Sequence, residues 1–193
     1  MAANLRKAGF RLNVHTRSRS PEAAPELLGT RSCASPAETA ETVDVLMLCV
    51  SDDTAVENVL FGPHGAASAL QPGSVVVDCS TIAPATAMDC AERLGRQGVT
   101  YLDAPVTGGT EGAKAGTLTL LVGGEADALE RVRPLLEVIG GSIHHFGPVG
   151  AGQQVKAINQ VLVAGSYAAV AEAIALGQHL KLPMEQVVNA LKH

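Results

Sequence analysis

A lysine followed one helical turn later by two side-chain amides is a set of groups that can move a proton and hold a polar substrate. In "AGQQVKAINQVLVAGSYAAVAEAIALGQHLK" the residues Lys156, Asn159, Gln160 and Val163 fall along one edge of a helix beginning near Ala151. After Lys156 no further Asp, Glu, Lys or Arg occurs until Glu172. A lysine held in a dehydrated cleft has a lowered pKa and can exchange a proton with a carbonyl or alcohol oxygen near neutral pH. The same lysine on a solvated helix face does no chemistry, so its surroundings decide.

The second feature is "DAPVTGGTEGAKAGTLTLLVGG", Asp103 to Gly124, with six glycines and four threonines. If "TYLDAPV" is a strand, Thr107, Gly108 and Gly109 come just past its carboxyl end, the side on which open α/β sheets bind ligands. Consecutive glycines there expose backbone N–H groups to an anion, and the Thr107 hydroxyl adds a donor. Gly-Gly after a strand also serves as a plain turn.

The third is "HTRSRS", closing an early strand-like run. At the end of a second Rossmann strand an acid accepts from the ribose of NAD, whereas Arg meets the 2′-phosphate of NADP. Here Arg17 and Ser18 stand there and no acid does, which points to NADP, with NAD possible. A solvated loop is the alternative reading of the same residues.

The elements needed to position these groups follow from hydrophobic periodicity. "FRLNVHT", "DVLMLCV", "SVVVDCS" and "TYLDAPV" (Phe10–Thr16, Asp44–Val50, Ser74–Ser80, Thr100–Val106) read as strands. Helix-length segments lie between them: "SPAETAETV", "DDTAVENVLFG" and "APATAMDCAERLGRQG". "TLTLLVGG", "EADALERVRPLLEVIG" and "SIHHFG" add a further β-α-β. Strict alternation predicts parallel βαβ units with right-handed crossovers.

From Ala151 to about Lys181 the pattern turns helical, and Pro183 opens one more helix. The predicted fold is α/β: a Rossmann-like, mostly parallel sheet lacking its first strand, followed by the start of an all-helical domain. The expected boundaries are 1–148 for the nucleotide-binding part and 149–193 for the long interdomain helix and the beginning of the helical domain. "MAANLRKAGF" reads as the last two turns of the first helix, ended by Gly9. That places the first strand and its phosphate loop upstream of Met1, since no Gly-x-Gly-x-x-Gly opens the chain.

Composition bounds the function classes. The 193 residues are 47% hydrophobic with no Trp, and the net charge of −5 is spread without long like-charge runs, which argues against nucleic acid as partner. Cys33, Cys49, Cys79 and Cys90 show no Cys-x-x-Cys spacing and read as buried, reduced thiols of a cytoplasmic protein. No apolar stretch is read as long enough for a membrane span, and the first residues lack a signal-peptide core. His144 and His145 point to opposite faces of a strand, so a metal site is not expected. Asp52 and Asp53 read as a helix cap.

Taken in order, "TRS" after "MAANLRKAG", "VVVDCSTIAP", "DAPVTGGTEGAKAGTLTLLVGG" and "GPVGAGQQVKAINQ" closely resemble the motifs of the β-hydroxyacid dehydrogenases, the family of 3-hydroxyisobutyrate dehydrogenase, tartronate semialdehyde reductase and glyoxylate/succinic semialdehyde reductase. The resemblance implies an oxidoreductase that transfers hydride between NADP(H) and a small β-hydroxyacid or its semialdehyde. It further implies that Lys156 is the catalytic acid/base, that Thr107, Gly108 and Gly109 hold the substrate carboxylate, and that Asn159 orients the substrate. Thr81 would contact the nicotinamide end and Arg17 the adenosine phosphate, with Ser18 beside it. Thr107 stands where Ser is commoner, and Asn159-Gln160 where many members have Asn-Asn.

The resemblance also implies a homodimer or higher oligomer. It marks the chain as an internal piece of such an enzyme, expected to bind NADPH poorly and to aggregate by itself. Rival readings are an inactive truncated binding module and an imine-reductase-like member of the superfamily.

Overall fold

The computed structural model describes residues 1–17 and 27–192. Ser18 therefore lies outside the described residues. Compactness divides the chain into one unit over Met1–Lys156 and a second over Ala157–His193.

The first unit is organised on β4 (Val75–Asp78), buried on both faces as a run of three valines suggests. It pairs in parallel with β3 (Val45–Leu48) on one side and with β5 (Thr100–Asp103) on the other. Alternation along the strands feeds two separate cores. Leu46, Leu48, Val76 and Tyr101 pack under α3 (Asp53–Phe61) and α4 (Pro84–Gly95), with Val56, Leu60, Ala87, Cys90 and Leu94. Val75, Val77 and Leu102 face the other way, toward Leu5 of α1 (Ala2–Lys7) and Leu129, Val132 and Leu136 of α6 (Ala126–Ile139). Each buried valine contributes about 1.5–3 kcal/mol of transfer free energy.

The helices start where the sequence predicts. Asp52 accepts from the Ala55 N–H at 2.8 Å, the expected cap of α3. Asp53 instead bridges to the start of α4, accepting from the Ala83 N–H at 2.9 Å. Ser35 caps α2 (Pro36–Ala40) through the Glu38 N–H.

Four expectations are corrected. "TYLDAPV" is not one strand: it breaks after Asp103, and β6 (Val106–Thr107) joins β7 (Leu118–Val122) antiparallel. Pro105 lies at the break with no N–H to give a ladder, and its carbonyl accepts from Leu121. Alternation of parallel units is thus interrupted, though β7 and β8 (Gly140–His145) again run parallel. Second, the glycine-rich stretch contains a short helix, α5 (Gly109–Ala115), closed by Gly116 at φ 73°. Glycine's poor helix propensity hid it.

Third, the first predicted strand shortens to β1 (Asn13–Val14), paired in parallel with a two-residue β2 (Arg31–Ser32). Among the described residues no ladder joins β1 to β3. Fourth, α7 (Ala151–His179) is, by length and composition, apolar enough to cross a membrane. The single charged side chains at Lys156 and Glu172 are too few to offset its alanines, valines and leucines.

The second unit holds the rest of α7 and α8 (Met184–Ala190). The turn between them uses Lys181 at φ 53° and a Leu182 N–H to Gly177 carbonyl bond of 3.0 Å. Its large apolar residues, among them Val161, Leu162, Tyr167 and Leu191, are exposed.

Candidate active site

At the carboxyl ends of β4 and β5 the sequence places polar residues where apolar ones would be ordinary, and the structure shows why they are tolerated. Asp78 and Asp103 are fully buried, each ending its strand. Asp78 accepts from the Tyr101 hydroxyl and from the Ser80 N–H, both at 2.8 Å. Asp103 accepts from the Gly150 N–H at 2.8 Å and the Gln153 N–H at 2.9 Å, so a strand carboxylate caps the first turn of α7. Burial raises both carboxyls above the usual carboxylate range, opposed by these hydrogen bonds. Gly123 and Gly152 make the approach possible, because a Cβ at either would press on the Asp103 carboxylate.

Capped in this way, α7 presents Lys156 one turn further on. Its side chain is 8% exposed, and Nζ donates to the Val106 carbonyl at 2.7 Å. Burial pushes its pKa below the ordinary lysine value, and no neighbouring charge contributes to the shift. Val106 immediately precedes Thr107, so the lysine is bonded to the residue just ahead of the Thr-Gly-Gly run although 50 residues separate donor and acceptor. The break at Pro105 turns β6 out of the β5 ladder and leaves that carbonyl for the ammonium.

Gly108 and Gly109 have φ of 123° and 63°, a backbone path that L side chains resist. Among the described residues neither glycine N–H has an acceptor, so both stay available to an anion. Thr107 is half-buried beside them.

The remaining predicted residues are placed less closely. Thr81 is exposed in the loop between β4 and α4. Arg17 is exposed just past β1; its charge adds to the hydrogen bonds from Ala55 and Ser51 that lower the Asp52 carboxyl. Asn159 belongs to the second unit, where its amide donates to the Gln160 side chain at 3.1 Å.

Sequence reasoning missed Gln153, Ser80, Asp78, Tyr101 and Asp103 as members of this cluster. A signal existed for two of them. Asp is disfavoured inside strands, yet Asp78 and Asp103 each end an apolar one.

Among the described residues no cluster of three or more His, Cys, Asp or Glu side chains could hold a metal. His144 engages Ser142, and His145 the Gly124 carbonyl. Cys33, Cys79 and Cys90 are buried free thiols, whereas Cys49, just past the end of β3, is exposed, contrary to the reading of four buried thiols. Two open cavities of about 450 and 480 Å³ are lined by none of the predicted residues.

With this geometry in view, comparison with known proteins is specific. Residues 1–147 match the NAD binding domain of 6-phosphogluconate dehydrogenase, and residues 150–193 match the NAD-binding region of NADP-dependent 3-hydroxyisobutyrate dehydrogenase. The chain is 42% identical over 177 residues to the NAD-dependent L-serine dehydrogenase of Pseudomonas aeruginosa, covering 92% of this chain and 59% of that protein. It spans about three fifths of the length of the curated relatives it matches. A solved 3-hydroxyisobutyrate dehydrogenase from Salmonella typhimurium superposes with a TM-score of 0.89 at 33% identity, over 100% of this chain and 67% of that one. An imine reductase from Myxococcus stipitatus gives the same TM-score of 0.89 at 20% identity, covering 99% of this chain and 66% of that one, a likeness of fold alone.

Proposed function

The chain belongs to the family of NAD(P)-dependent β-hydroxyacid dehydrogenases, and on that premise we propose that it serves the interconversion of a small β-hydroxyacid and its semialdehyde, with Lys156 as the proton-transfer group. The observation that carries this reading is the buried ammonium of Lys156 on the Val106 carbonyl, two residues ahead of Gly108, whose N–H, like that of Gly109, has no acceptor among the described residues. A carboxylate on those N–H groups and the Thr107 hydroxyl brings a β-carbon oxygen within reach of the lysine. Lys156 then gives that oxygen a proton in reduction and removes one in oxidation. Asn159 orients the substrate.

The chemistry of the donor set fits a nicotinamide dinucleotide: an exposed Thr81 hydroxyl at the strand carboxyl ends suits the nicotinamide side, and an exposed Arg17 guanidinium suits a phosphate. Ser18 would add a hydroxyl next to Arg17. Such a cofactor supplies the hydride; the protein's own groups bind, orient and move the proton. We assign NADP(H) over NAD(H) on Arg17 and on the absence of an acid in "HTRSRS". The exposed apolar side chains of the second unit support a homo-oligomer, which sedimentation of the purified protein would reveal.

The test is a substrate panel. Oxidation of 3-hydroxyisobutyrate or tartronate-type acids, or reduction of glyoxylate or succinic semialdehyde, with NADPH preferred over NADH, supports the reading. Turnover of cyclic imines with none of these acids would replace it.

A further inference from the structure

We propose that Gln153 is a positioning residue for Lys156: its side-chain amide locks the lysine-bearing start of α7 to the loop of residues 79–82, so that the proton donor and the Thr81 side of the cleft hold one register. Gln153 is 1% exposed, and both the nitrogen and the oxygen of its side-chain amide are bonded. Nε2 donates to the Ser80 carbonyl at 2.8 Å, and Oε1 accepts from the Ile82 N–H at 3.2 Å. These two bonds bracket Thr81. The Gln153 backbone N–H donates to Asp103, which ties the same residue to the end of β5.

Ser80 extends the clamp. Its hydroxyl accepts from the Val50 N–H at 2.9 Å and its N–H donates to Asp78, so one glutamine links the ends of three strands to one helix. Lys156 follows three residues later on the same helical face and makes no hydrogen bond to Gln153. Any influence of Gln153 on the lysine therefore passes through the placement of α7.

The chemistry demands a neutral donor–acceptor pair at this point. An apolar side chain leaves the Ser80 carbonyl and Ile82 N–H buried without partners. An ionised carboxylate repels the Ser80 carbonyl and adds a charge near Asp78 and Asp103. A protonated carboxylic acid, however, donates and accepts as the amide does. The titratable groups tied into this network are Asp103, bonded to the Gln153 N–H, Asp78, bonded to Ser80 and to the Tyr101 hydroxyl, and Lys156, three residues along α7.

This inference rests on the proposed role of Lys156 only for what the positioned ammonium does. The experiment uses the full chain with Gln153→Met and Gln153→Glu, and follows Lys156 by NMR titration of isotopically methylated lysines, assigned with Lys156→Arg. Turnover against pH is the second readout. In Gln153→Met the Lys156 titration is expected to move up toward the ordinary lysine value as water reaches it, with turnover falling roughly 10²-fold, the scale of about a 1 Å misplacement. Gln153→Glu is expected to behave like the unaltered protein at acid pH and like Gln153→Met once its carboxyl ionises, a pH limb that loss of packing alone would not create.

A Lys156 titration indifferent to both substitutions overturns the inference. If Gln153→Met fails to fold, turnover of Gln153→Glu followed across the ionisation of its carboxyl retains the test. Because the titration needs no substrate, the two readings separate. A moved titration with normal turnover in Lys156→Ala sinks the proposed function alone; an unmoved one with turnover abolished in Lys156→Ala sinks the positioning role alone.

Discussion

The Lys156 ammonium donates to the Val106 carbonyl at 2.7 Å, joining the first turns of α7 to the strand residue just ahead of Thr107, Gly108 and Gly109. The contact pairs a group that can move a proton with a backbone that can hold an acid. Removing the lysine should separate chemistry from binding. In an enzyme of its relatives' full length, Lys156→Ala is expected to lower turnover by about 10²–10⁴-fold, the usual worth of a positioned acid or base, while NADPH binding by calorimetry changes little. Near-normal turnover would end the assignment.

Burial lowers the Lys156 pKa, and the direction sets the pH dependence. Reduction needs the protonated amine, so its rate should fall as pH rises through the lowered lysine value; oxidation needs the neutral amine and should rise over the same interval. Profiles measured in both directions should share that limb, below the ordinary lysine range, and Lys156→Arg should remove it.

Gly109 sits at φ 63° with open space where a Cβ would go. Gly109→Ala therefore costs only the left-handed backbone, about 1–2 kcal/mol, without a steric clash. If its N–H holds the substrate carboxylate, KM for the acid should rise about tenfold, the scale of one weakened hydrogen bond to a charge, with cofactor KM unchanged. Equal KM values for acid in both proteins would remove Gly109 from the site.

Burial raises the Asp78 and Asp103 carboxyls. Acids with raised folded pKa values contribute stability that is complete below the unfolded carboxylate pKa and is lost as pH rises through the folded values. Urea denaturation should thus show stability declining by this contribution as pH rises above the ordinary carboxylate value of about 4, and Asp78→Asn should flatten the slope. A slope unaltered in Asp78→Asn would show that this carboxyl does not carry it.

Arg17→Ala tests the cofactor preference. Losing one guanidinium–phosphate contact should raise KM for NADPH about tenfold and leave KM for NADH nearly constant. A parallel loss for both cofactors would place Arg17 outside the 2′-phosphate site.

Local chemistry by itself determined a good deal. Aliphatic runs fix β3 and β4, and helical periodicity, with the Asp52 cap of α3 and the proline that opens α4, fixes α3, α4 and α6, because such signals act over a few residues. Lys156 on a helix and glycines past a strand were legible for the same reason. The partners were not. Gln153 reaches Ser80 across 73 residues, Tyr101 reaches Asp78 across 23, and no local pattern names such pairs. Nor does a hydrophobic run reveal that Pro105 ends one ladder and frees the Val106 carbonyl. Only tertiary packing, by excluding water from Lys156 and setting its ammonium on the Val106 carbonyl, decided that an ordinary helical lysine is a desolvated one.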